Sequence, residues 1–464
     1  MKKAQRGGPV DLAIRPSRRA IGRQGGGVHL LVRAEPPAPP RRTERRPVAL
    51  ALVIDRSGSM GQPAEQGPTA AVAGGPMAVF HRRPAVAHGP GDTGRTDKLA
   101  FVRAATLRLI DLMHDGDAVA LVTFDDQAAV AKPLTVLDDR SRKELASAVG
   151  RLVPGGSTFL EGGYQAGLEQ FGEAIAATYG CKLVLLSDGQ ANVGERRPAV
   201  LSEMAAAAAR RGVTTSTLGV GLDYNIALMS AMAEAGNGDF THIGSLDALD
   251  EILREEFTTA AEVTARGVEI AVELPERLAA GTNLNGYRQE STEGGFRVQL
   301  GDLSRPKEFL FEVTTPVPLV GEELVIGVRA SYRDVEGEAR ESTARLALRV
   351  CDAEEAARQP ADEDVIAKVL VQLPARAEMD VALAYEQGNV SRARAILDAS
   401  RQAMADMRSH YGAVADTRVE MVAWEARLDD LTAAFHAGPP TAAQVKTMFA
   451  AGYDLSRARG PRTM

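Results

Sequence analysis

Seven consecutive apolar residues, 48–54, read VALALVI and constrain the fold more than any other feature of the chain. A strand without a polar residue must be covered on both faces, which is typical of parallel sheets that carry helices on either side. Strand and helix patterns alternate after this strand as far as residue 259. We therefore expect an α/β fold with a doubly wound, mostly parallel, six-stranded, Rossmann-like sheet.

The order of the remaining elements gives each strand a direction. The strand at 128–137 follows the one at 118–124 after only three residues, too few for a parallel crossover, so it must be antiparallel. Pro133 in this strand suits a sheet edge. The pattern predicts further strands at 181–187, 213–218 and 239–243, and helices at 99–113, 140–152, 160–178, 198–211, 226–235 and 246–259.

Apolar residues alternate with polar ones in five stretches between residues 263 and 351, which predicts a flanking antiparallel β-sandwich. Two similar stretches at 10–14 and 28–33 are too short to be stable alone, so we expect residues 1–35 to join that sandwich. The α/β domain is then inserted between them, and its two ends lie close together. A C-terminal helical region follows, with a turn at Gly388 and Asn389. The predicted domains are 1–46 with its linker, 47–260, 261–352 and 360–458.

Composition excludes several other classes of protein. With 45% apolar and 25% charged residues among 464, the chain resembles ordinary soluble proteins, and no apolar run approaches the length of a membrane span. Two cysteines cannot build a disulfide framework, and the N-terminus has no secretory apolar stretch, so we expect a cytoplasmic protein. Residues 1–47 hold twelve basic and three acidic residues. No aromatic residues are interleaved with them, which argues against nucleic-acid binding.

Three polar motifs fall at one predicted edge of the sheet. Asp55, Ser57 and Ser59 form a D-x-S-x-S pattern directly after the apolar strand. In open parallel sheets, ligands bind beyond the carboxyl ends of the strands. The chain direction brings Thr158, in the sequence PGGST, and Asp188, in the sequence SDG, to the same edge. If strand 181–187 lies beside strand 48–54, all five side chains converge on one point.

Each motif also has a purely structural interpretation. The D-x-S-x-S pattern can be a polar turn, and Asp188-Gly189 can be no more than a turn. Thr158 with Glu161 fits the T-x-x-E pattern of a helix capping box. A capping threonine can still be a metal ligand, so these interpretations leave the site open.

Five oxygen donors, of which two are carboxylates, suit Mg²⁺, with Mn²⁺ and Ca²⁺ as alternatives. Zinc would prefer histidine or cysteine ligands. Three neutral hydroxyl ligands leave such an ion electrophilic, so an open coordination position would favour an acidic group from a partner.

These residues resemble a von Willebrand factor type A (VWA) domain over roughly residues 47–260. The sequence VIDRSGSM after the first strand, GGST before a helix and LLSDG after a central strand match its metal-ion-dependent adhesion site. The resemblance assigns the metal to Asp55, Ser57, Ser59, Thr158 and Asp188. The wider arrangement resembles bacterial, cytoplasmic-type VWA proteins with a β-domain and a helical tail. Members of the family bind protein ligands and seldom catalyse reactions.

The resemblance implies a Mg²⁺-dependent protein-interaction module, acting as a scaffold or as an adaptor to an ATPase, and not an enzyme. The alternative is a metal-dependent hydrolase, for which Asp125 and Asp126 are the candidate general bases. Residues 61–95 depart from the family pattern as a flexible insert rich in glycine and proline. This insert is either a simple excursion or a lid over the metal site.

Overall fold

The computed structural model describes residues 9–23, 27–38, 46–63, 97–244, 248–315 and 323–457. The insert expected at 61–95 lies outside the described residues from position 64 onward, and so does the hypothesis of a lid. Within the described part of the chain, no helix is both long and apolar enough to cross a membrane.

The first segment contributes three strands: β1 (Asp11–Pro16), β2 (Ala20–Gly22) and β3 (Gly27–Glu35). The α/β part of the chain follows. Its elements are β4 (Val48–Asp55), α1 (Lys98–Leu112), β5 (Ala118–Phe124), β6 (Ala128–Val136), α2 (Asp139–Gly150), α3 (Leu160–Leu168), α4 (Glu173–Thr178), β7 (Gly180–Ser187), α5 (Pro198–Arg210), β8 (Val213–Val220), α6 (Ile226–Ala235), β9 (Asn237–Ile243) and α7 (Leu249–Ala261).

The six strands of this part form one sheet in the order β6-β5-β4-β7-β8-β9. All neighbours are parallel except β6, which is antiparallel to β5 at the sheet edge, so the predicted fold class is confirmed. Strand β4 lies at the centre, and its alternate residues enter two different cores. Leu50 and Leu52 pack with α1 and α7, whereas Ala51 and Val53 pack with α3 and the helices on the other face.

The single helix predicted at 160–178 is wrong, because the structure divides it into α3 and α4. The chain leaves α3 through tight turns at Gln170 and Phe171, and the Phe171 ring is buried in the core. Gly172 then forms the N-cap of α4. Helix α3 therefore ends before Phe171, because this side chain must reach the core. The spacing of apolar residues alone predicts that the helix continues.

The described residues of the second β-rich segment, 264–315 and 323–351, contribute seven strands: β10 (Ala265–Glu273), β11 (Ala279–Ala280), β12 (Gln289–Thr292), β13 (Gly295–Leu303), β14 (Lys307–Thr314), β15 (Glu323–Arg333) and β16 (Ala339–Cys351). They form two sheets with the N-terminal strands, in the orders β1-β3-β14-β11 and β12-β13-β10-β15-β16-β2. The inner faces of both sheets share one apolar core. Thr264 Oγ1, where the α/β part ends, donates to Pro37 O at 3.0 Å, so the two connections to the sandwich are adjacent.

Six helices follow in the part described up to residue 457: α8 (Ala353–Arg358), α9 (Glu363–Glu386), α10 (Val390–Tyr411), α11 (Ala413–Asp416), α12 (Val419–Ala437) and α13 (Ala442–Ser456). The expected turn between α9 and α10 is present, with Gly388 at φ +70° and Asn389 capping α10. Helix α13 packs along α9, and its Phe449 and Tyr453 rings contact Phe240 on β9 edge-on. The C-terminal helices thus extend the core of the α/β part.

Candidate metal centre

The edge of the sheet where β4 and β7 end carries a cluster of oxygen atoms. The two strands pair in parallel along their length, so Asp55 at the end of β4 and Asp188 just after β7 lie at the same edge. The Ser59 hydroxyl donates to Asp188 Oδ1 at 2.7 Å, and Ser57 Oγ lies 3.0 Å from Ser59 Oγ. The D-x-S-x-S segment and the β7 loop therefore meet directly.

Gly189 locates Thr158 in the same cluster. A Cβ atom at Gly189 would lie 3.3 Å from Thr158 Oγ1, 3.6 Å from Ser59 Oγ and 4.0 Å from Ser57 Oγ. Three hydroxyls from two separate loops thus surround the Gly189 backbone, and a side chain there would crowd the Thr158 hydroxyl. The structure brings all five predicted site residues together.

Asp55 is fully buried, and both of its carboxylate oxygens accept hydrogen bonds. The Ser57 backbone N–H donates to Oδ1 at 2.8 Å, and the Ser187 hydroxyl donates to Oδ2 at 2.6 Å. Burial raises the pKa of Asp55 to about 6, although these donors oppose the shift. No basic side chain of the described ranges forms an ion pair with Asp55. A cation at this point would favour the charged carboxylate.

The loop before α3 holds Thr158 in a way that the sequence did not predict. The capping box of Thr158 with Glu161 is wrong, because Phe159 is the N-cap of α3 and no side chain caps the helix. The Glu161 carboxylate instead accepts from the Glu195 backbone N–H at 2.7 Å. Thr158 is fixed through its own backbone N–H, which donates to Asn192 Oδ1 at 2.7 Å. Its hydroxyl is therefore not used as a cap.

Lys98, the first residue of α1, is the main feature of the site that sequence reasoning missed. Its Nζ donates to Asp188 Oδ2 at 2.7 Å, and both side chains are almost completely buried. The insert separates Lys98 from the D-x-S-x-S segment in the sequence, so no local motif connects the two. Ser187, the donor to Asp55, could have been found, because it lies within the sequence SDG.

The two aspartates considered as general bases, Asp125 and Asp126, each have a partner within the protein, one an ion pair and the other a hydrogen bond. Asp125 Oδ2 forms an ion pair with Arg56 at 2.7 Å. Asp126 Oδ1 accepts the Ser157 backbone N–H at 2.8 Å, and this bond lowers the pKa of Asp126. Gly155 packs so closely over Asp125 that a Cβ atom would overlap the carboxylate, which accounts for a glycine at that position.

The donor set fits a hard divalent cation. Two carboxylates and three hydroxyls offer only oxygen, which Mg²⁺, Mn²⁺ and Ca²⁺ prefer. The described ranges contain no group of three or more histidine, cysteine, aspartate or glutamate side chains placed to hold a metal ion. A cation here would therefore depend on the hydroxyls of Ser57, Ser59 and Thr158 as well as on the carboxylates.

Residues 93–255 match the family model of the von Willebrand factor type A domain. The match includes Thr158 and Asp188 and begins after the D-x-S-x-S segment. Two solved structures share the architecture of nearly the whole chain. A von Willebrand factor type A protein from Catenulispora acidiphila has a TM-score of 0.61 and 19% identity, over 89% of this chain and 88% of that one. The ArnB paralog VWA2 from Sulfolobus acidocaldarius has a TM-score of 0.57 and 17% identity, over 97% and 99%.

Two curated relatives each carry a name that calls them uncharacterized proteins. YfbK of Escherichia coli (strain K12) is 27% identical over 225 residues, and sll0103 of Synechocystis is 23% identical over 309 residues. The matched regions are 47% and 62% of this chain, and they span only 39% and 62% of those two proteins. The α/β part is thus a VWA domain, and the whole chain shares its fold with solved VWA proteins.

Proposed function

We propose that the chain is a protein-binding module whose VWA domain uses a divalent cation to bind an acidic side chain of a partner. Asp55, Ser57, Ser59, Thr158 and Asp188 would hold the cation, with Mg²⁺ as the expected ion and Mn²⁺ or Ca²⁺ as alternatives. The observation that carries the proposal is the convergence of these five side chains at one edge of the sheet. VWA domains commonly mediate protein interactions.

The bound ion would supply an electrophilic position for a partner's carboxylate oxygen. The chain's own residues prepare that position. Ser187 and the Ser57 backbone orient Asp55, and Asn192 fixes Thr158. The two carboxylates balance the formal charge of a divalent ion, and the three hydroxyls are neutral and weaker donors. A partner's carboxylate oxygen would therefore be a stronger ligand than water at a remaining coordination position.

The partner is expected to be a protein with an exposed aspartate or glutamate. An ATPase is one class of partner that we propose, with this chain as its scaffold or adaptor. The hydrolase alternative needs a free general base near the ion. Asp125 is paired with Arg56, and the lowered pKa of Asp126 makes it a weak base. We therefore propose a binding role without catalysis.

Replacement of Asp55 tests the metal site. We expect Asp55→Ala, and the isosteric Asp55→Asn, to abolish Mg²⁺ and Mn²⁺ binding in titration calorimetry, because the carboxylate is lost. Asp126→Asn is the matched control, since it removes a charge at the same edge outside the five ligands and keeps an acceptor for Ser157. Circular dichroism would verify folding. Unchanged Mn²⁺ affinity in Asp55→Asn would contradict the assignment.

Partner binding is tested by affinity capture with the same variants. The purified chain would be exposed to an extract of its source cells with Mg²⁺ and with a chelator. We expect a partner retained by the wild type and by Asp126→Asn with Mg²⁺, and lost with the chelator or with Asp55→Asn. Capture that is independent of both the metal and Asp55 would rule out the proposed binding mode.

A further inference from the structure

Lys98 combines two unfavourable placements. Its side chain is about 10% exposed, although lysine is seldom buried unless it is paired. It is also the first residue of α1, where the helix dipole disfavours a positive charge. Asp97 caps the same turn, with its Oδ1 accepting the Ala100 N–H at 2.6 Å. Such a lysine is stabilised by a specific partner, and that partner is Asp188.

The ammonium group is enclosed at a defined point. Its Nζ lies 2.7 Å from Asp188 Oδ2, and a Cβ atom added to Gly221 would lie 3.2 Å from it. Gly221 has φ +71°, a left-handed conformation that glycine adopts without strain. Because Gly221 has no side chain, the backbone of the loop after β8 lies next to Lys98. The ammonium is held between this loop and Asp188.

The two oxygens of Asp188 have different partners. Oδ1 accepts from Ser59 on the side of the hydroxyl cluster, and Oδ2 accepts from Lys98. Asp188 thus already has a cation partner without any metal, whereas Asp55 has none among the described residues. Arg56, another basic residue at this edge, forms an ion pair with Asp125.

We propose that Lys98 is a built-in counter-cation of the metal site, which weakens metal binding and makes the loaded site more positive toward an anionic partner. The proposal rests on the metal site proposed above. Two carboxylates and one ammonium have a formal charge of −1, so a divalent ion brings the site to +1 rather than to zero. Lys98 repels the ion at close range, since charges a few ångströms apart interact strongly in a buried site.

The test replaces Lys98 with methionine, which keeps the length of the side chain and removes its charge. We expect Lys98→Met to bind Mn²⁺ about tenfold more tightly than the wild type in titration calorimetry, because the repulsion is removed. The melting temperature of the metal-free variant should fall, since Asp188 is left buried and unpaired, and Mn²⁺ should raise it by more than it raises that of the wild type. Lys98→Gln gives a second, polar variant if Lys98→Met does not fold.

Lys182 provides a matched control. It lies on β7 and forms an equally buried ion pair with Glu256 at 2.6 Å, at the opposite end of that strand from Asp188. Lys182→Met also breaks a buried pair, so it should lower the melting temperature without changing Mn²⁺ affinity. A tightening of Mn²⁺ binding that occurs only at Lys98 cannot come from a general loss of stability.

The outcomes separate this inference from the proposed function. Tighter binding in Lys98→Met alone supports both. Binding by Lys98→Met but not by the wild type supports the counter-cation and overturns the metal-dependent function. Equal or weaker binding in Lys98→Met, or the same tightening in Lys182→Met, overturns the counter-cation and leaves the function standing. No Mn²⁺ binding by any of the three proteins overturns both.

Discussion

Asp55 depends on Ser187 more than on any residue outside the five predicted ligands. The Ser187 hydroxyl is fully buried and donates to Asp55 Oδ2 at 2.6 Å, while the Ser57 N–H occupies the other oxygen. Groups that hydrogen-bond to a metal ligand fix its orientation, and their loss typically weakens metal binding by about 10–100-fold. Ser187 would therefore position the carboxylate without contacting an ion bound there.

Removal of this donor should be measurable. We expect Ser187→Ala to weaken Mn²⁺ binding about tenfold, at the lower end of the usual range, because the Ser57 bond remains. Ser187→Thr keeps the hydroxyl and should retain most of the affinity. Titration calorimetry on both variants checks the expectation. Full affinity in Ser187→Ala would mean that Ser187 has only a structural role.

The candidate ligands could be recognised from the sequence because each follows a strand or precedes a helix at a position that the topology fixes. The role of Lys98 could not, since its pairing with Asp188 depends on how α1 meets the sheet after the insert. The same reason explains the error at Thr158. The T-x-x-E pattern is local, whereas the Glu161 carboxylate accepts a hydrogen bond from the backbone of Glu195, which lies on a distant loop.

Among the elements, α6 is tied to the C-terminal helices through the Glu386 carboxylate, which also forms a partly buried ion pair with Lys446. The Glu386 carboxylate, at the end of α9, accepts from the Ile226 and Ala227 backbone N–H groups at the start of α6. Lys446 on α13 lies 2.6 Å from the same carboxylate and also donates to Tyr224 O. An anion at a helix N-terminus is favourable, and here it belongs to another helix.

Breaking this pair should loosen the attachment of α6. We expect Glu386→Gln to lower stability by about 2 kcal/mol, somewhat less than for a fully buried pair, because Glu386 is partly exposed. Hydrogen exchange at Ile226 and Ala227 should become faster. In Glu386→Gln combined with Lys446→Met, no buried charge is left unpaired, so much of the loss should be recovered. Thermal unfolding of both variants checks this, and additive losses would show that the two side chains act independently.

The sequence predicts the bounds of an element most accurately where the pattern of its own apolar residues is clear, as in β5 and α6. The prediction fails where a distant contact decides the element. Strand β2 has only three residues, and it exists because it pairs in parallel with the end of β16. No pattern of so few residues predicts a strand without that partner.

At the scale of the whole molecule, the chain forms its sandwich from two separate segments with the VWA domain between them. Strand β3 pairs with β14 over eight residue positions, from Lys307 opposite Ala34 to Thr314 opposite Gly27. The C-terminal helices cover two units at once. Leu31 and Leu310 of the sandwich share a core with α9, and Phe449 and Tyr453 of α13 enter the core of the VWA domain.

The alternation of apolar and polar residues predicts the sandwich strands, and a helical pattern predicts the C-terminal helices, but neither pattern indicates how the helices dock. Docking depends on complementary surfaces, such as the rings of Phe240, Phe449 and Tyr453, which lie far apart in the sequence. The candidate metal centre lies on the VWA domain at the carboxyl edge of its sheet. We propose that a divalent ion bound there makes this edge a binding surface.

Anomalous diffraction from crystals of the full chain grown with Mn²⁺ tests that claim most directly, because it locates the ion itself. We expect one strong anomalous peak enclosed by Asp55, Ser57, Ser59, Thr158 and Asp188, and no such peak in crystals of Asp55→Asn grown in the same way. A site that contains only the Lys98 ammonium at saturating Mn²⁺, or a peak found only elsewhere on the molecule, would contradict it.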